Sequence, residues 1–121
     1  MSKISTATTV VIAAIISCGA ALAHPQLEAS EPAAGATTSS PKQIRITFNE
    51  AVISKFSGIE IKDKAGRTIA TGKPQPDPAD KKRLVIPVNE ELTPGEYKVD
   101  WHAVSGDTHR VKGTYSFSVT R

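Results

Sequence analysis

Tyr97-Lys98-Val99-Asp100-Trp101-His102-Ala103 (residues 97–103) alternates apolar with polar side chains at every step. Successive side chains of an extended chain point to opposite faces, so Tyr97, Val99, Trp101 and Ala103 share one face and Lys98, Asp100 and His102 the other. That period predicts a strand with one face in a core and one in water. Just ahead of it, Thr93-Pro94-Gly95 reads as a turn. Beyond it, Thr114–Val119 repeats the alternation with Tyr115, Phe117 and Val119 inward. Towards the N-terminus, Ile44, Ile46 and Phe48 alternate with Arg45, Thr47 and Asn49, and Ile59 and Ile61 with Glu60 and Lys62. Lys64-Ala65-Gly66-Arg67 predicts a hairpin turn into Thr68-Ile69-Ala70. Residues 72–82, with three prolines among charged side chains, read as a solvated loop. Leu84, Ile86 and Val88 form a further strand, which Pro87 places near an edge. About seven short strands and no helical period make this an all-β chain, a small β-sandwich.

The N-terminus is of another kind. Lys3, an apolar run over Thr9–Ile16 and Ala21-Leu22-Ala23 have the order of a secretory signal peptide cleaved between Ala23 and His24. The apolar run falls short of the roughly 20 residues that span a bilayer. Ile15-Ile16-Ser17-Cys18 loosely fits the alternative, a lipoprotein box that would retain Cys18 as a lipidated first residue. The first reading leaves one domain, residues 24–121, with 14 Lys and Arg against 12 Asp and Glu. These charges are interspersed and carry no aromatic-basic stripe, which argues against nucleic-acid binding. The single cysteine, Cys18, and the single methionine, Met1, both lie in the leader. The exported domain therefore has no disulfide and no sulfur ligand, so any metal site must be built from nitrogen and oxygen, unsuited to cuprous ion.

His24 at a new N-terminus offers an α-amine and an imidazole that can chelate one metal. Pro25 has no N–H to surrender as a further nitrogen ligand, so the coordination must be completed elsewhere in the fold. Asp107-Thr108-His109 supplies a carboxylate and an imidazole two residues apart, which on an extended strand project to one side. Amine, two imidazoles and a carboxylate suit tetragonal Cu(II). The plainer readings stand beside these: His24 as whatever followed the cleavage site, and Ser105-Gly106-Asp107 as an ordinary turn. His102 reads as a solvent-facing strand residue, and Glu50 as a strand-end carboxylate. Tyr97, Trp101, Tyr115 and Phe117 read as core. The chain offers no nucleophile elbow, phosphate loop or cysteine nucleophile.

His24-Pro25, Ser30–Ala36, Ile46-Thr47-Phe48-Asn49-Glu50-Ala51-Val52, Leu92–Trp101, Val104–His109 and Gly113–Val119, in this order, resemble the CopC family of periplasmic copper-binding proteins over essentially the whole exported chain. The resemblance implies a Greek-key, immunoglobulin-like β-sandwich. It also implies one Cu(II) bound by His24 (amine and imidazole), Asp107 and His109, with Glu50 as a supporting carboxylate or weak ligand. Some family members carry a methionine-rich Cu(I) site in the mid-chain region; residues 62–82 here hold neither Met nor His, so a Cu(II)-only member is expected. The implied role is a monomeric periplasmic copper carrier, not an enzyme, serving homeostasis or resistance, with an inner-membrane importer of the CopD type as partner. The alternatives are a copper oxygenase using a histidine chelate and a metal-free interaction module.

Overall fold

The computed structural model describes residues 25–120. The leader, Cys18 and His24 lie outside the described residues. Nine strands are present among those described: β1 (Leu27–Glu31), β2 (Thr37–Thr38), β3 (Gln43–Phe48), β4 (Gly58–Asp63), β5 (Thr68–Ile69), β6 (Gln75–Asp77), β7 (Asp80–Pro87), β8 (Gly95–Val104) and β9 (Arg110–Val119). They form a four-stranded sheet, β1-β3-β7-β6, and a five-stranded sheet, β2-β9-β8-β4-β5. Three hairpins, β4-β5, β6-β7 and β8-β9, stay within one sheet, and the other successive strands alternate between the two sheets, so the chain crosses repeatedly between them, as a Greek-key sandwich requires. A single 3₁₀ turn, Ser54–Phe56, interrupts the all-β course.

Alternation places the core. Ile44, Ile46 and Phe48 of β3 and Leu84 and Ile86 of β7 face Tyr97, Val99, Trp101 and Ala103 of β8 and Tyr115, Phe117 and Val119 of β9, all buried. Phe48 meets Trp101 edge-on at 5.5 Å between ring centroids, and Tyr97 stacks on Phe117 at 5.8 Å, geometries aromatic pairs favour. The Tyr97 hydroxyl donates to the Thr93 carbonyl at 2.7 Å, tying the turn at Thr93-Pro94-Gly95 to the strand it introduces.

Two expectations need correction. Residues 72–82 are not simply a loop: they contain β6 and the start of β7, paired as a hairpin. Asp77 caps its turn by accepting from Ala79 N at 2.8 Å, and Arg83 approaches Asp77 at 3.4 Å. Nor does Pro87 mark an edge, since β7 lies between β3 and β6. Pro87 is the last residue of β7, past the point where Gln75 of β6 pairs with Val85, so its missing N–H costs no ladder bond there.

The short β5 is held by charge. Glu90 accepts from Arg67 Nη2 at 2.9 Å and from Ala70 N at 2.8 Å. Donation by Arg67, then by the Ala70 N–H, holds the Glu90 carboxyl below the usual glutamate range. A depressed carboxyl contributes stability that is present above its unfolded-state pKa and is lost as pH falls through the folded value. Glu90→Gln is therefore expected to lower the melting temperature at neutral pH and to flatten its decline across the acid limb. Parallel melting-temperature profiles for wild type and Glu90→Gln would show the idea wrong.

Candidate metal centre

β8 and β9 form the longest hairpin, in register from Gly95–Val119 to Val104–Arg110. Ser105 to His109 close it. Thr108 N donates to the Ser105 carbonyl at 2.9 Å and Ser105 N to the His109 carbonyl at 3.0 Å. Thr108 turns the crown with a positive φ of 68°, which is unusual for a β-branched residue. Asp107 and His109 thus sit in a loop and not on an extended strand as expected. The loop still brings them together: His109 Nδ1 lies 3.0 Å from Asp107 Oδ2, with both side chains about half exposed.

Ser105 is fully buried beneath this pair, and its hydroxyl donates to Asp107 Oδ1. That donation is the main reason the Asp107 carboxyl lies below the usual aspartate range; the His109 backbone N–H and imidazole add to it against the opposing effect of desolvation. The carboxylate is thereby kept ionised and aimed. A carboxylate held against Nδ1 fixes the orientation of the imidazole ring.

The neighbouring strand end is pinned to the same hairpin. Val52 bridges Ser105, and Ile53 N donates to the Val104 carbonyl at 2.8 Å. Ser57, the other buried polar side chain among the described residues, donates to the Ile53 carbonyl at 2.7 Å and accepts from Val104 N at 3.0 Å. Ser57→Ala would strand the buried Val104 N–H, an expected cost of about 1–3 kcal/mol. Chemical denaturation and the exchange rate of the Val104 amide would measure it; an unchanged midpoint would refute it.

Pro25 is fully buried. Gln26 clasps Asn49 by two bonds: Gln26 N donates to Asn49 Oδ1 at 2.7 Å, and Asn49 N to the Gln26 carbonyl at 3.0 Å. Val52 lies three residue steps beyond Asn49, at most about 11 Å of chain. The start of the described chain and the Asp107–His109 loop therefore belong to one end of the sandwich. Glu50 follows Asn49, half-buried, and has no hydrogen bond or ion pair among the described residues. His102 is exposed on β8 opposite Lys112, apart from the pair. Among the described residues no three His, Asp or Glu side chains converge; Asp107 and His109 meet, and Glu50 and His102 do not join them. Ser57 carries no signal in the sequence, and Ser105 and Asn49 read there only as turn composition and as an alternating strand residue, without the supporting roles the structure gives them.

A family model described as the CopC domain matches residues 27–120. Copper resistance protein C of Escherichia coli is 38% identical over 105 residues, covering 82% of this chain and 83% of that protein. The crystal structure of PcoC, a methionine-rich copper resistance protein from Escherichia coli, matches with a TM-score of 0.73 at 40% identity, over 81% of this chain and 100% of that chain. Copper transport protein CutJ of Bacillus subtilis (strain 168) is 30% identical over 98 residues, 80% of this chain but 18% of that longer protein. The family match runs from the first residue of β1 past the end of β9, taking in both sheets and the Asp107–His109 hairpin, and the chain belongs to the CopC family.

Proposed function

We propose that this chain is a periplasmic carrier that binds one Cu(II) through the amine and imidazole of His24, Asp107 and His109. The observation that carries the reading is the carboxylate–imidazole pair on the β8–β9 loop, oriented by buried Ser105, at the end of the sandwich where Pro25 is buried and Gln26 is clasped. A residue joined to Pro25 starts from that end, which supports assigning the remaining donors to the amine and imidazole of His24. Half-buried Glu50, one residue beyond the clasp, fits a supporting acceptor for the amine. The donors are all nitrogen or oxygen, a set that favours Cu(II). PcoC is methionine-rich, whereas the one methionine here is Met1, so we propose a Cu(II)-only member without a Cu(I) site.

The role is carriage, not catalysis. A carboxylate ligand favours the oxidised ion, and delivery to a membrane transporter of the CopD type accords with a domain of this kind forming a small part of the longer copper transport protein CutJ. Amine and imidazole must lose protons to bind, so affinity falls as the medium is acidified. The test is Cu(II) titration, against a competing chelator, of protein recovered from periplasmic expression. The expected stoichiometry is one ion per chain, with sharply weakened binding in Asp107→Ala and in His109→Ala. Wild-type affinity in either variant would refute the site, and polysaccharide oxidation in the presence of a reductant would refute the carrier role.

A further inference from the structure

The stem of the metal hairpin carries a surface feature that copper binding does not use. On its outer face Val104 lies opposite Arg110 and His102 opposite Lys112. The 3₁₀ turn Ser54–Phe56 folds over this face, so that Phe56, His102, Val104, Arg110, Val111 and Lys112 line one groove. Phe56 is the one large apolar side chain left exposed among the described residues, at 56%. A lone exposed phenylalanine is unremarkable on a soluble protein; its surroundings are not.

Charge on the outer face is sorted. Further down the sheet, one acid of β4 and one of β8 have lysine partners: Glu60 with Lys62 at 3.3 Å and Asp100 with Lys98 at 3.8 Å. At the groove the balance is one-sided. Arg110, Lys112 and Lys55 form no ion pair among the described residues, and no acidic side chain lines the groove. The nearby Asp107 is already engaged by Ser105 and His109. An apolar floor rimmed by unneutralised cations complements an anionic ligand that also carries an apolar side chain.

We propose that this groove docks an acidic polypeptide segment, bearing one apolar anchor, of the protein that exchanges copper with this chain. The occupant rests on the copper reading above; the groove itself does not. Residues 102–104 and 110–112 are the two strands leading into and out of the loop that holds Asp107 and His109, so a segment seated there is brought beside the metal ligands without occupying them. Phe56 supplies the aromatic contact of the kind that dominates small interfaces, and the cations supply steering and register.

The test uses ¹⁵N-labelled protein from periplasmic expression, free of metal, titrated with a synthetic Glu/Asp-rich peptide carrying one central leucine. A Lys-rich peptide of the same pattern and phosphatidylglycerol vesicles are the other arms. Amide shifts confined to residues 54–58, 102–104 and 110–112, absent with the Lys-rich peptide, are expected. Phe56→Ala and Lys112→Glu should each weaken the acidic peptide about tenfold, the effect of losing about 1.4 kcal/mol at an anchor. Shifts elsewhere, unchanged affinity in both variants, or Phe56-dependent binding to vesicles in preference to the peptide would overturn the proposal. Copper titration of Phe56→Ala, expected to match wild type, reads the metal site alone, and peptide binding without metal reads the groove alone. Failure of one is thereby distinguished from failure of the other.

Discussion

One residue added ahead of His24 is expected to weaken Cu(II) binding as severely as replacing His24 by alanine. The two changes remove different atoms. His24→Ala deletes the imidazole and leaves a terminal amine; the extension keeps the imidazole and carries the amine away from it. Each would break the proposed chelate, in which the second bond forms with little further loss of freedom. Cupric ion at a free peptide N-terminus commonly compensates by recruiting the next amide nitrogen, and Pro25 has none to give. The loss should exceed the roughly 10–100-fold that removal of an outer partner costs a metal site. Competition titration measures it, and electron paramagnetic resonance of the Cu(II) form should report fewer nitrogen donors in both variants. Wild-type affinity with the extension would sink the terminal chelate even if His24→Ala behaved as expected. The same logic predicts that the uncleaved precursor lacks the complete site.

Gly113→Ala is expected to be the most damaging single-methyl change in the described fold. Gly113 pairs with Trp101 across β8 and β9, and a Cβ there would lie 2.5 Å from Trp101 Cζ2 and 2.7 Å from Cε2. The obstacle is a rigid indole, itself packed edge-on against Phe48, so it must move as a body. Overpacking of this kind costs about 1–3 kcal/mol, and in a domain of this size each kcal/mol lowers the melting temperature by about 4–8 °C. Trp101 is the only tryptophan, so its emission should shift with the displaced ring. Trp101→Leu introduced with Gly113→Ala should recover part of the loss relative to the sum of the two single changes. An unchanged melting temperature in Gly113→Ala would mean that the β9 backbone yields where the indole was thought to hold it.

Where one face of a strand meets the core, the sequence announced the strand. β3, β4, β8 and β9 follow from the placement of Ile44, Ile46, Phe48, Ile61, Tyr97, Val99, Trp101 and Phe117, since a one-residue slip would carry that apolar set into water. β6 was illegible for the converse reason: Gln75-Pro76-Asp77 has no apolar alternation, and pairing with β7 alone makes it a strand. β1 and β2 were hidden likewise, taking their places from β3 and β9. At the candidate site the residue types were legible and the local geometry was not. Asp107 and His109 converge through a loop closed by Ser105 and turned at Thr108, where an extended strand had been expected. Such a turn depends on backbone bonds that residue types do not spell out.

The outermost strands carry a consequence of a different kind. β2 and β5 have two residues each and β6 three, with Pro76 lacking an N–H in the middle of it. β1, the longest of the four at five residues, bears Glu28 and Glu31. Open strand borders are where β proteins recruit other chains, and brevity, proline and charge are what discourage it. A β-sandwich guarded in this way can remain a single, separately diffusing unit at high concentration, leaving the Asp107–His109 loop and the groove beside it open to other molecules.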